Sequence, residues 1–200
     1  MIRLLLATTN PHKITEIRQI LAGLSIILDT LADHPPIPEP HETGRSFADN
    51  ARLKALHYNR ATGISTVAED SGLEIDALEG APGVLSARFT GDTYPEKFRA
   101  IYDALRARGR PASTARFVCA LALARDGSIV YEATGRVEGT IAPAPLGAGG
   151  FGYDPIFFYP PSGRTLAEVP TEEKAAVSHR GQAFRALRVY LEKELHHEDA

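Results

Sequence analysis

Asp126-Gly127 stands between two long stretches of strand-forming residues, Thr114–Arg125 and Ser128–Glu138. A two-residue Asp-Gly link between such runs is a strong hairpin signal, because both residues accept the positive φ that a tight hairpin turn demands. An antiparallel pair is therefore expected in mid-chain. The opening run Ile2–Ala7 is apolar throughout, as in a strand buried on both faces. These two features, with helical patterns between them, point to an α/β protein with a mixed sheet and not to a doubly wound parallel one.

The remaining elements follow from periodicity. Ile14, Ile17, Leu21 and Leu24 recur at helical spacing and predict a helix over Lys13–Leu24. Ser25–Thr30 reads as a strand, and the proline-rich stretch Asp33–Arg45 as a loop. Ser46 followed by Asp49 resembles a capping box for a helix to about Ala61. Thr66–Glu69 and Leu73–Ala77 look like short strands about an Asp70-Ser71-Gly72 turn, with a Gly/Pro-rich loop at Gly80–Gly91. Helices are expected at Pro95–Arg108, Thr171–Val177 and after Ser178, where Phe184, Leu187, Leu191 and Leu195 share a face; Pro143–Gly152 reads as a loop and Ile156–Tyr159 as a strand.

Two hundred residues suit one domain or two tightly packed lobes, taken together as a single domain 1–200, and 44% hydrophobic content is enough for a sizeable core. Twenty-two basic against 25 acidic side chains leave a net charge of −3, which argues against binding a nucleic-acid polymer through a broad basic surface. One cysteine, Cys119, permits neither an internal disulfide nor a Cys/His finger, and a reducing, cytoplasmic setting is the simplest reading. The apolar run Leu4–Ala7 is too short for a signal-peptide core, and no membrane-length stretch occurs. The polar tail His196–Ala200 reads as a frayed, solvated end.

Five features could carry chemistry. Thr8-Thr9-Asn10-Pro11-His12-Lys13 joins a buried strand to a helix start, where amides, hydroxyls and an ammonium suit phosphates; a plain turn is the commoner use of such residues. Glu69-Asp70-Ser71-Gly72 offers carboxylates for a metal ion or a proton, or is simply an acidic turn, and adjacent strand residues point to opposite faces. On the helix after Ser46, Phe47, Ala51, Ala55 and Tyr58 fall in one sector at about 100° per residue, with Lys54 inside it and Asn50 at its edge. A lysine there needs a partner or a site, unless it snorkels to solvent; Glu42, just upstream, is a possible ligand. Gly147–Gly152 matches G-x-G-x-x-G but lacks the strand-then-helix context of a dinucleotide site. It offers instead Phe151 as an aromatic face for a flat ligand, with Asp154 nearby, or Phe151 packs inward. Lys174 with Ser178-His179-Arg180-Gly181 makes a reader of a carbonyl oxygen or oxyanion, or a solvated basic turn. No Walker-type phosphate loop, G-x-S-x-G elbow or H-E-x-x-H is present.

Together these stretches resemble the inosine triphosphate pyrophosphatases, the house-cleaning nucleoside triphosphate pyrophosphatases. The resemblance is carried, in order, by Ala7–Lys13, Glu42-Thr43-Gly44, Asn50–Ala55, Glu69–Leu73, Gly80–Gly83, Gly149–Phe157 and Glu173-Lys174 with Ser178–Gly181. It implies an elongated mixed sheet flanked by helices, in two lobes with the active site in the cleft between them. It also implies hydrolysis of deaminated purine nucleoside triphosphates to the monophosphate and pyrophosphate, dependence on Mg²⁺, and a homodimer acting on free nucleotides, with no membrane role. Thr8, Thr9, Asn10, Lys13 and Lys54 are then expected at the triphosphate, and Glu42, Glu69 and Asp70 at the metal. Asp70 is expected as general base. Phe151, with Gly152 and Tyr153, is expected at the base, Asp154, His179 and Arg180 at its edge, and Lys174 and Ser71 as further contacts.

Two positions depart from the common pattern. His41 stands where many relatives have an acidic residue, and Glu69 replaces the commoner Asp. Two other readings stay open at this level: a related pyrophosphatase for methylated or pyrimidine nucleotides, and a non-catalytic nucleotide sensor.

Overall fold

A computed structural model describes residues 2–198. His196 to Glu198 belong to its last helix, while Met1, Asp199 and Ala200, the end of the expected tail, lie outside the described residues.

Seven strands form one mixed sheet: β1 (Ile2–Leu6), β2 (Ile26–Thr30), β3 (Ser65–Ile75), β4 (Thr114–Arg125), β5 (Ser128–Ile141), β6 (Phe157–Tyr159) and β7 (Arg164–Thr165), in the order β2-β1-β3-β4-β5-β6-β7. β1 runs parallel to β2 and β3, whereas β6 is antiparallel to β5 and β7. Asp126 and Gly127 link the neighbours β4 and β5 at φ 50° and 76°, the left-handed values the hairpin reading requires. The helices are α1 (Pro11–Leu21), α2 (Phe47–Thr62), α3 (Tyr94–Ala107), α4 (Thr171–Val177) and α5 (His179–Glu198). Among the described residues no helix is long and apolar enough to cross a membrane.

Several expectations need correcting. β3 is one continuous strand, not two strands about a turn. Asp-Ser-Gly is good turn chemistry, but Gly72 serves another purpose: a Cβ there would lie 2.2 Å from Ser86 Oγ and 2.8 Å from the Gly83 carbonyl oxygen. It is the point where a neighbouring segment closes on the strand. α1 starts two residues before the expected Lys13, because Asn10 caps it and Pro11 fits the first turn, and it ends at Leu21, before Gly23. β5 continues past Glu138 to Ile141, the short strand β7 had no clear signal, and Gly83–Arg88 is a 3₁₀ turn inside the expected loop.

The chain divides into two compact units. The first holds residues through Asp70, Cys119–Gly135 and those from Arg180; the second holds Ser71–Val118 and Arg136–His179. In the first unit, strand alternation sorts the core onto two sheet faces. Leu4, Leu6, Val67, Leu121 and Leu123 meet Ile17 and Leu21 of α1 and Phe184, Leu187 and Leu191 of α5. Leu5, Ala7, Ala68, Ala122 and Ala124 meet Ala51, Ala55 and Tyr58 of α2. Alanines on both sides of that second layer leave room for the α2 backbone to come close. The second unit packs Leu73, Ile75, Phe98, Ile101, Tyr153 and Phe157 into its own core.

Candidate active site

β3 carries the alternation of the first unit's core into its chemistry. Val67 and Glu69 belong to the α1/α5 face, Ala68 and Asp70 to the α2 face. The two adjacent carboxylates therefore have different neighbours.

On the α2 face, Ser46 caps the helix by accepting the Asp49 N–H, which fixes the first turn and the rotation of the residues after it. Asn50 and Lys54, four residues apart, then project together. Asn50 Nδ2 donates to Asp70 Oδ2 at 3.0 Å, while its Oδ1 accepts the Gly44 N–H at 2.8 Å. One buried amide thus ties the Glu42-Thr43-Gly44 loop to the strand. Gly44 has to be glycine here, since a Cβ would sit 2.5 Å from Asn50 Oδ1. Lys54 Nζ lies 2.8 Å from Glu42 Oε1 and 3.7 Å from Asp70 Oδ1. Burial works against the Lys54 charge, but Asp70, Glu69 and Glu42 outweigh it and raise its pKa. Burial pushes the Asp70 carboxyl up, and Glu42 and Glu69 add to this, beyond what Lys54 and the Asn50 hydrogen bond offset.

On the other face, Glu69 is 3% exposed and pairs with Lys13 Nζ at 2.5 Å; Arg180 Nη2 lies 3.7 Å from the same oxygen. Arg180 also donates to Glu16 Oε2 at 2.8 Å, and Cys119 Sγ donates to Glu69 Oε2 at 3.4 Å. Burial alone would raise the Glu69 carboxyl, but Lys13, Arg180 and Lys54 hold it well below the ordinary carboxylate range. Burial, with Glu69 beside it, pushes the Cys119 thiol well up. In the turn before α1, Thr8 Oγ1 accepts the Asn10 N–H at 3.2 Å, and Asn10 Oδ1 accepts those of His12 and Lys13 at 3.0 and 3.3 Å. Of the amides at this helix start, those of His12 and Lys13 are therefore engaged by the Asn10 side chain and that of Asn10 by Thr8. Thr8 is half-buried and Thr9 exposed.

The three carboxylates expected at the metal divide between two sets of cations. Glu42 and Asp70 share Lys54, while Glu69 turns to Lys13 and Arg180. Among the described residues no group of three His, Cys, Asp or Glu side chains comes together as a metal site.

In the second unit, Asp154 and Lys174 form a buried ion pair at 2.6 Å, 2% and 5% exposed. Asp154 Oδ2 also accepts the Phe151 N–H at 2.7 Å, and Lys174 Nζ sits 4.6 Å from the centre of the Phe151 ring. Asp154 thus shapes the loop that presents Phe151. Gly150, at φ 67°, has no room for a side chain, because a Cβ would lie 2.2 Å from Asp154 Oδ2. Tyr153 is a core residue whose hydroxyl donates to the Ser86 carbonyl at 2.8 Å, and Gly152 follows Phe151 at φ 67°. The His179 ring stacks on Phe117 at 4.9 Å and 11°, and Ser71 lies half-buried on β3.

Sequence reasoning left Asn50 and Glu16 out of the site. Each has a helical signal, since Asn50 is four residues before Lys54 and Glu16 three after Lys13. The Ser86 contacts have none, because they depend on tertiary approach.

Comparison with known proteins adds four findings. Residues 4–190 match the Ham1 family. The chain is 47% identical over 188 residues to the dITP/XTP pyrophosphatase of Exiguobacterium sp., covering 92% of this chain and 94% of that protein. It is 43% identical to the dITP/XTP pyrophosphatase of Geobacter sulfurreducens, covering 96% and 97%. Its fold is similar to the solved structure of a HAM1 protein from Coxiella burnetii, with a TM-score of 0.90 and 39% identity over 96% of this chain and 100% of that one.

Proposed function

This chain belongs to the Ham1 family, and from that premise we propose that it hydrolyses deaminated purine nucleoside triphosphates (ITP, dITP, XTP and dXTP) to the monophosphate and pyrophosphate, cleansing the pool of free nucleotides. The observation that carries the reading is the environment of Asp70. Its carboxylate is oriented by Asn50, faces the Lys54 ammonium and is raised by burial toward the working range of a general base.

In this reading Asp70 takes the proton of a water that attacks the α-phosphorus. The new P–O bond forms as the bond to the bridging oxygen breaks, and pyrophosphate leaves. Lys54 and Lys13 balance the charge that develops on the phosphate oxygens, with Thr8, Thr9 and Asn10 as further contacts. Glu42 and Asp70 fit a hard divalent cation, because two carboxylates already converge on one ammonium and both offer oxygen donors. Magnesium held there supplies positive charge to the phosphates. Glu69 acts differently, by holding Lys13 and Arg180.

Phe151 stacks on the base, and the Asp154–Lys174 pair and Ser71 support that end. His179 donates to the 6-oxygen, and Arg180 backs it from the next position. Adenine offers a donor where this site needs an acceptor, a mismatch of about 1–3 kcal/mol when buried. The same reading carries a cytoplasmic homodimer acting on free nucleotides.

The test is incubation with inosine triphosphate and Mg²⁺, with adenosine triphosphate as control. Stoichiometric pyrophosphate from the first and little from the second supports the reading; orthophosphate release, or no turnover, refutes it.

A further inference from the structure

Tyr94 opens α3, and its place is set before any ligand is considered. Thr93 caps the helix, and Glu96 accepts the Asp92 N–H, the Thr93 N–H and the Thr93 hydroxyl through one oxygen. Its ring stands edge-on to Tyr153 at 5.4 Å and 90° and packs against Phe98 at 6.1 Å. The aromatic body is thus fixed, although the residue is 40% exposed.

The hydroxyl is the unusual part. Tyr102, further along the same helix, donates its hydroxyl to the Ala142 carbonyl, and Tyr153 donates to that of Ser86. Among the described residues the Tyr94 hydroxyl makes no such bond. It points at the Phe151 loop, where a Cβ on Gly152 would lie 3.5 Å from it. Gly152, with φ 67°, is the residue directly after Phe151. Burial and the Asp154 charge both favour the neutral phenol, which can donate and accept. A rigid ring that carries a hydroxyl with no protein partner to the edge of an aromatic platform is arranged to meet a polar group on whatever that platform stacks.

We propose that Tyr94 is a further substrate-contacting residue, whose hydroxyl bonds to the nucleoside end of the nucleotide stacked on Phe151. This rests on Phe151 being the base platform. It adds a contact from α3 that no sequence motif marks.

The experiment compares wild type with Tyr94→Phe and Tyr102→Phe, using inosine triphosphate as substrate and inorganic tripolyphosphate as competitive inhibitor. Loss of one neutral hydrogen bond predicts a KM about three- to tenfold higher for Tyr94→Phe, with kcat little changed. The inhibition constant for tripolyphosphate, which has no nucleoside, stays at the wild-type value. Tyr102→Phe loses a backbone bond from the same helix and leaves KM unchanged. The proposal is overturned by an unchanged KM in Tyr94→Phe, by a parallel weakening of tripolyphosphate binding, or by an equal KM rise in Tyr102→Phe. Wild-type turnover tests the proposed activity, a KM rise in Phe151→Ala tests the platform reading, and the ratio of Tyr94→Phe to wild type tests Tyr94.

Discussion

Glu69 and Asp70 are chain neighbours with opposite electrostatics, because one strand step turns them to different helices. Glu69 is buried against cations, so its folded carboxyl binds protons less readily than its unfolded one. Its stabilisation is present above about pH 4.5, the ordinary value for the group, and is lost as pH falls toward the folded value. Glu69→Gln leaves Lys13 and Arg180 facing an amide, and removing one partner of a buried pair costs about 3–5 kcal/mol. Urea unfolding at pH 7 should show that gap, and at pH 3 it should be smaller; a gap independent of pH contradicts the assignment. Asp70 has the opposite sign. Its raised pKa means that the ionised form opposes folding, so stability falls as pH rises through the folded value. Asp70→Asn should therefore be at least as thermally stable as wild type, and lose about 10²–10⁴-fold in turnover, the usual range for a general base. A destabilised, fully active variant contradicts it. The alternation that separates the two carboxylates was legible from strand geometry. The partners of Glu69 were not, because Lys13, Cys119 and Arg180 come from three distant stretches.

At the level of elements, what the sequence shows depends on how local the cause is. The Asp126-Gly127 hairpin, the Ser46 cap and α4 appear where residue chemistry puts them, because a turn or a cap is decided within a few residues. β3 misleads for the converse reason. Asp70-Ser71-Gly72 has turn composition, yet the strand continues because Ser86 Oγ accepts the Leu73 N–H at 3.0 Å and donates to the Gly83 carbonyl at 2.6 Å. That contact depends on Gly72 having no side chain. Gly72→Ala is expected to destabilise by about 1–3 kcal/mol, the usual cost of forcing extra volume into a packed site. Equilibrium denaturation measures it, and an unchanged midpoint contradicts the close-approach role.

Across the whole molecule, a net charge of −3 conceals strongly opposed local charges. Lys13, Arg180 and Lys54 each face carboxylates inside the first unit, and Lys174 faces Asp154 inside the second. Fold class was legible because a buried parallel strand and an antiparallel hairpin in one chain leave few arrangements other than a mixed sheet. The division into two units was not legible from composition, since β3, β4 and β5 each carry residues of both and no linker marks the change. The site segments were legible as an ordered set, whereas their connections through Asn50 and Glu16 required the fold. The central claim, attack of water on the α-phosphorus, is tested most directly by turnover of inosine triphosphate in ¹⁸O-labelled water, with mass spectrometry of both products. The account predicts one labelled oxygen in the inosine monophosphate and none in the pyrophosphate; label in the pyrophosphate, or in released orthophosphate, contradicts it.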